Sequence, residues 1–408
     1  MNLEFISKIN SNFTHSYPIS IYIHWPFCFS KCPYCDFNSH VAKTIDHHQW
    51  LNSYIKELQT FLPFFQNRKI RSIYFGGGTP SLMEPFVIKN IIDFLKQHVV
   101  FDDQIEITLE ANPTSSEYKK FFDFRESGIN RVSIGVQSLI EKDLKFLGRN
   151  HDANEAIKTI KHAQEIFPRY SFDLIYSRPE QTLDDWQNEL ELALTLAKDH
   201  ISLYQLTIEK GTKFFSMYKK NAFKMPSDDL SNEFYFLTDR ILNNHGFESY
   251  EVSNYSKNNA ISLHNMCYWQ YDDYLGIGPG AHSRLRNDFL QHYSFHNIYN
   301  PNNWLEATQN QYHAIQNFHH LTKREILEEI LIMGLRIKNG ISQKKSIEKL
   351  GEKIENFFNK KTIEFLKNEN LVQIDDSNFS TTERGFRLMD YIVKKLYENL
   401  SDEICKKF

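Results

Sequence analysis

At 408 residues the chain is too long for one small domain and has room for a catalytic core of roughly 200–250 residues plus smaller units. Its 47 Lys and Arg stand against 51 Asp and Glu, a net charge of −4, so it offers no general electrostatic attraction for nucleic acid, which is not expected as a partner. No apolar run approaches the roughly 20 residues that span a bilayer, and the start, MNLEFISKINSNFTHSYP, lacks a signal peptide's apolar stretch, so a cytoplasmic protein without a transmembrane segment is expected.

After an N-terminal segment (1–18), β-branched and aromatic runs alternate with helical-period stretches from 19 to 245, the pattern of βα units around a parallel sheet. The predicted strands are ISIYIHW (19–25), IRSIYFG (70–76), QIEITLEA (104–111), NRVSIGVQ (130–137), YSFDLIY (170–176) and HISLYQLT (200–207). Between them QWLNSYIKELQTFL, PFVIKNIIDFLKQH and TLDDWQNELELALTLA carry apolar residues at helical spacing. Six pairs fall short of the eight that close an ordinary (β/α) barrel. The expected fold class is therefore α/β, with an open, partial (β/α)6 barrel. Residues 246–300 break into shorter Gly- and Asn-bearing pieces, expected as a small β-containing extension covering the barrel mouth. Residues 301–408 read as helices, a hairpin and a last helix, a C-terminal winged-helix-like α+β domain. The 33 Phe and 21 Tyr read as core packing.

Three of the five cysteines, Cys28, Cys32 and Cys35, form C-x3-C-x2-C on the loop after the first strand. In a reducing compartment such a cluster reads as ligands rather than staples; Cys267 and Cys405 lie far away in sequence. Thiolates suit zinc, copper(I) and iron-sulfur clusters alike. A structural zinc site needs a fourth ligand, His24 or His40 at unusual spacing. A four-iron cubane held by three cysteines keeps one iron open for a substrate or cofactor. A plain cysteine-rich loop is the third reading. In YFGGGTPS (74–81), Gly77, Gly78 and Thr79 form either a ligand cradle or only a tight turn. Glu110, Gln137 and Arg149 fall just beyond consecutive strands, on one rim. Asp173 and Gln205 lie within later strands, where a carboxylate is penalised by desolvation unless paired or ligand-bound.

A C-x3-C-x2-C loop ending the first strand of a partial (β/α)6 barrel resembles the radical S-adenosylmethionine superfamily. The resemblance implies a 4Fe-4S cluster on Cys28, Cys32 and Cys35. It also implies S-adenosylmethionine chelating the open iron, and one-electron cleavage of its sulfonium bond to a 5'-deoxyadenosyl radical. YIHWPFCFSKCPYCDFNSH, GGGTPSL, EANP, RVSIGVQS, LGRNH, FDLIY, SLYQLTIEKGT, YEVSNY, HNMCYW and GIGPGAHS are together similar to the coproporphyrinogen dehydrogenase-like branch, and within it to its haem-chaperone family. The similarity runs from about residue 20 to 285 and more loosely beyond. Carried over by position, S-adenosylmethionine contacts fall on Tyr22, Tyr34, Gly77, Gly78, Thr79, Glu110, Gln137, Arg149 and Asp173. Each charge-assisted bond there would contribute roughly 1.5–3 kcal/mol. Ser177, beside Arg178, stands where many relatives have glycine.

The decarboxylating members carry a fourth cysteine two residues past the third, where this chain has Phe37, and a longer segment before the first strand than the about 20 residues here. The expected function is therefore haem delivery: binding haem and passing it to an acceptor protein, a respiratory one among the candidates, with a flavodoxin- or ferredoxin-type reductant and a monomeric or dimeric state. No catalytic residue is assigned. The alternatives are an oxygen-independent coproporphyrinogen III dehydrogenase and a zinc-stabilised binding module. HNMCYW (264–269) corresponds to the HNxxYW signature of the chaperone family. His264 is either the haem ligand or a hydrogen-bonded structural residue; Cys267, Tyr268, His24, His40 and His282 are lesser candidates.

Overall fold

Six strands, β1 (Ile19–Trp25), β2 (Lys69–Gly77), β3 (Val100–Ala111), β4 (Arg131–Gln137), β5 (Arg169–Tyr176) and β6 (His200–Gln205), pair in parallel and in sequence order in the computed structural model. The structure describes residues 17–287 and 291–401, so most of the N-terminal segment and Cys405 lie outside the described residues. β3 starts earlier than its apolar run because Val100 and Phe101 already pair with Lys69 and Ile70.

Alternation along each strand divides core from site. Val132, Ile134 and Val136 of β4 are fully buried, whereas Arg131, Ser133, Gly135 and Gln137 line a cavity on the other face. Helices α1 (His47–Phe61), α2 (Pro85–His98), α3 (Ala153–Ile166) and α4 (Leu183–Leu196) connect the strands. Their starts are written locally. Asp46 accepts from the amides of His48 and Gln49, and Asp152/Glu155 and Thr182/Asp185 form capping boxes. The aromatic load is largely core, as in the Trp50–Trp304 stack at 5.1 Å.

The segment 246–300, expected as a cover over the mouth, is mostly built into the sheet. After α5 (Asp228–Asn244), β7 (Glu248–Glu251) and β8 (Asn254–Ser256) extend the β6 edge antiparallel. A short helix, α6 (Leu263–Trp269), packs against β2. Then β9 (Tyr274–Ile277) pairs parallel with β1, and β10 (His282–Arg286), β11 (His292–Asn297) and β12 (Ile315–Leu321) continue antiparallel beyond it. The physical reason is that both edges of a six-stranded sheet present unpaired backbone groups that need partners.

Beyond β12 the order is helix Lys323–Gly334, strand Ile341–Ser342, helices Gln343–Leu350 and Lys360–Asn368, strands Val372–Ile374 and Asn378–Thr381, and a last helix Met389–Tyr397. The three strands form a sheet of their own, over a core that includes Ile330, Leu331, Phe357 and Phe379. Charges tie this part to the large sheet: Arg284 grips Glu329 at 2.8 and 3.0 Å, and Lys345 reaches Asp272 at 2.7 Å.

Candidate cofactor site

A cavity of about 1050 Å³ opens at the C-terminal ends of the parallel strands, where ligand-binding loops of βα folds gather. Cys28, Cys32, Cys35 and Tyr34 from the loop after β1 line it, with Gly77, Gly78 and Thr79 after β2 and Glu110, Gln137, Arg149 and Asp173 from later strands and loops. The three cysteines are free and partly exposed. Burial pushes the thiols of Cys28 and Cys35 up from their ordinary values.

Fixed donors surround the thiols. Thr79 Oγ1 donates to Cys28 Sγ at 3.4 Å and Arg149 Nη1 to Cys32 Sγ at 3.3 Å. Asn112 joins the two: its amide donates to Thr79 Oγ1 at 3.0 Å, and its Oδ1 accepts from Arg149 Nη2 at 2.6 Å. Arg149 also donates to the Gly135 carbonyl at 2.8 Å, while its buried Nε has no partner among the described residues. Sequence reasoning missed Asn112, although it stands just past the end of β3, two residues after Glu110.

The glycine loop is a real close approach. A Cβ on Gly78 would meet the Phe27 carbonyl oxygen at 2.6 Å, and Gly77, at φ +115°, would drive one into the His24 ring. The Gly77 amide donates to Glu110 Oε2 at 3.1 Å and the Tyr74 hydroxyl to Oε1 at 2.8 Å. Burial pushes Glu110 up to about 7 and Asp173 up to about 6, against hydrogen bonds from Tyr74 and from Ser202 respectively. Both carboxyls face the cavity. Gln137, at φ +70°, turns the chain at the end of β4.

Two expected contacts are not part of the lining. Tyr22 stacks on Tyr74 at 6.2 Å and meets His24 Nδ1 through its hydroxyl at 3.0 Å; Tyr74 is the residue at the cavity wall. His264 is 1% exposed with both ring nitrogens engaged, Nδ1 with Ser72 Oγ at 2.9 Å and Nε2 with the Tyr268 hydroxyl at 2.8 Å. Burial lowers it to about 3. Its neighbour Asn265 lines the cavity instead. Cys267 is buried, its thiol directed at the Asp273 carbonyl, whereas Gln205 does line the cavity and donates to the Ser231 carbonyl. Ser177, at φ +57°, does not reach the cavity, and Arg178 is held by Glu189 and Asp143.

The donor set fits an iron-sulfur cluster with a bound S-adenosylmethionine: three thiols, a fixed cation, a glycine cradle and two protonatable carboxyls around one large cavity. A zinc ion fits less well. Among the described residues no three His, Cys, Asp or Glu side chains converge on a single-ion site, and His24, the nearer fourth ligand in sequence, has both nitrogens bonded, to Tyr22 and the Asn38 carbonyl.

A family profile described as Radical SAM superfamily matches residues 22–193, and one described as HemN C-terminal domain matches residues 321–388. Radical S-adenosyl methionine domain-containing protein 1, mitochondrial, of Danio rerio is 36% identical over 389 residues, 93% of this chain and 87% of its own. Heme chaperone HemW of Buchnera aphidicola is 32% identical over 381 residues, covering 92% of this chain and 98% of its own. HemW of Escherichia coli is 38% identical over 270 residues, 66% and 70% of the two chains. Coproporphyrinogen III oxidase (HemN) from Escherichia coli has the same fold, with a TM-score of 0.81 at 21% identity over 97% of this chain and 93% of its own. Among the described residues no helix is long and apolar enough to cross a membrane.

Proposed function

Because this chain belongs to the radical SAM superfamily, in its HemN/HemW branch, we propose that it is a haem chaperone. It holds a 4Fe-4S cluster on Cys28, Cys32 and Cys35 with S-adenosylmethionine at the open iron, binds haem, and passes it to an acceptor protein. Relatives named heme chaperone HemW support this reading. The observation that carries it is at position 37. Phe37 lines the cavity and is 59% exposed, an apolar surface where the decarboxylating branch has its further cysteine. The solved HemN structure supports the fold, not that enzyme's activity.

When bound, the cluster and S-adenosylmethionine supply one-electron chemistry at the sulfonium. The chain's own residues bind and orient. Arg149 places a permanent charge beside Cys32, where it can pair with a cofactor carboxylate. The glycine cradle lets backbone approach the cofactor, and Glu110 and Asp173 accept from hydroxyls such as those of a ribose. A reducing compartment keeps the thiols free for the cluster, and we assign the cytoplasm; the Danio rerio relative above carries a mitochondrial label. A flavodoxin- or ferredoxin-type reductant and a haem-accepting protein are the partners this function calls for.

The test is an anaerobic assay of reconstituted protein with coproporphyrinogen III, S-adenosylmethionine and a reductant. A chaperone forms no vinyl-bearing product; product at catalytic rates would replace this reading with the oxidative decarboxylase. Metal analysis of the same sample should give about four irons and four sulfides per chain, whereas one zinc and no iron would make it a zinc-stabilised module.

A further inference from the structure

We propose that the haem iron is ligated at the surface by one imidazole of a histidine pair, His282 and His296, beside the cysteine loop. The proposal rests on the haem-binding reading above and names the site that reading lacks.

His282 and His296 are direct partners in the antiparallel β10–β11 ladder. Their ring centroids lie 5.1 Å apart at an interplanar angle of 28°, and Tyr299 lies against both, at 6.3 and 5.3 Å. This is an exposed place: His282 is exposed, His296 partly so, and Tyr299 is 47% exposed. Among the described residues each ring holds one hydrogen bond, through Nε2: His282 with the Tyr299 hydroxyl at 3.0 Å and His296 with the Asn317 amide nitrogen at 3.4 Å. An incoming iron can replace such a bond at little cost, because the displaced group turns to water. His264 offers the opposite case, fully enclosed with both nitrogens satisfied. Partial burial lowers both surface rings from the ordinary histidine value, and Arg284 nearby acts in the same direction.

Imidazole is a common axial ligand of haem iron, and an exposed tyrosine offers a flat face for the porphyrin. The two imidazoles stand side by side on one sheet face. They do not face each other across a gap, so one ligates while the other waits as an alternative. A single-ligand hold of this kind suits a cargo that must leave.

The pair is also tied to the cluster loop. Asn38, three residues after Cys35, donates to the carbonyls of Tyr299 and Pro279 at 3.0 Å each, and its Oδ1 meets His40 Nε2 at 3.0 Å. The junction needs Gly280: at φ +73°, a Cβ there would strike Asn38 Nδ2 at 2.7 Å and the Tyr299 ring at 2.9 Å. A change in the cysteine loop therefore has a direct route to the histidine pair.

The experiment is a haemin titration of the full-length, anaerobically reconstituted chain, followed through the Soret band, for wild type, H282A, H296A and the double variant. Cluster iron content checks that each variant is folded. Each single variant should keep binding through the remaining imidazole, and the double variant should lose affinity at least tenfold, show a shifted Soret band, and regain the wild-type band position on adding free imidazole. Identical titrations and spectra in the double variant would overturn the proposal while leaving the haem-chaperone reading in place. A wild type that binds no haemin would overturn both. Tight zinc(II) binding that the double variant loses, with haemin binding unchanged, would make the pair a site for a bare ion and also overturn it.

Discussion

Arg149 Nη1 lies 3.3 Å from Cys32 Sγ, so a permanent cation touches one of the three thiols, and Asn112 Oδ1, 2.6 Å from the other terminal nitrogen, keeps it there. Arg149→Met is expected to weaken S-adenosylmethionine binding by about 1.5–3 kcal/mol, on the order of 10- to 100-fold. Asn112→Ala should produce a smaller loss in the same direction. Calorimetric titration of the reconstituted variants measures both; unchanged affinity in Arg149→Met would remove Arg149 from the site.

Cys32→Ala should abolish cluster assembly, because the remaining pair of thiols cannot hold four irons. Iron and sulfide content and the broad thiolate-to-iron absorption report this directly. Wild-type iron content in the variant would contradict the ligand assignment.

Asp173 gives a pH prediction. Burial holds its folded-state carboxyl at about 6, above the roughly 3.9 of an unfolded aspartate. The folded protein then binds more protons than the unfolded one between these values, so this group erodes stability as pH rises through about 4 to 6, with the full penalty present above that window. Asp173→Asn, which cannot ionise, should gain stability relative to wild type across the window and keep a constant advantage above it. Chemical denaturation of the cluster-free protein between pH 4 and pH 8, both on the order of one or two units from the folded value, checks the sign.

Ser177 is a non-glycine residue at φ +57°, in the left-handed region that costs an L side chain roughly 1–2 kcal/mol. Ser177→Gly relieves this, gives up the 3.2 Å contact with the Ser231 hydroxyl, and frees more backbone in the unfolded chain. The net expectation is a gain of at most about 1 kcal/mol with S-adenosylmethionine affinity unchanged, since the residue does not line the cavity. A loss of cofactor affinity would show that the departure from glycine matters at the site.

The six parallel strands were legible because each is an apolar run between helical-period segments, and the cysteine loop because three thiols in eight positions leave few readings. The rim residues Glu110, Gln137 and Arg149 followed from strand ends, and Asp173 from the cost of a carboxylate inside a strand. Legibility failed where the answer depends on packing between distant segments. Nothing local distinguishes Tyr22 from Tyr74: both point from neighbouring strands toward the same interior, and only their stacking decides which meets the cavity. His264 looked ligand-like in sequence because its satisfying partners, Ser72 and Tyr268, lie on β2 and one helical turn away. The His282–His296 pair depends on the register of two strands, which composition does not reveal. Edge pairing of 246–300 was hidden for the same reason: short polar strands earn their place from the sheet beside them.

The most direct test of the central claim is stoichiometric haem binding by the anaerobically reconstituted protein, followed by transfer to a haem-free acceptor. The account predicts saturable binding seen as a defined Soret band, loss of that band from this protein as the acceptor gains it, and no porphyrinogen decarboxylation. A protein that loads its cluster yet shows no saturable haem spectrum would contradict the account.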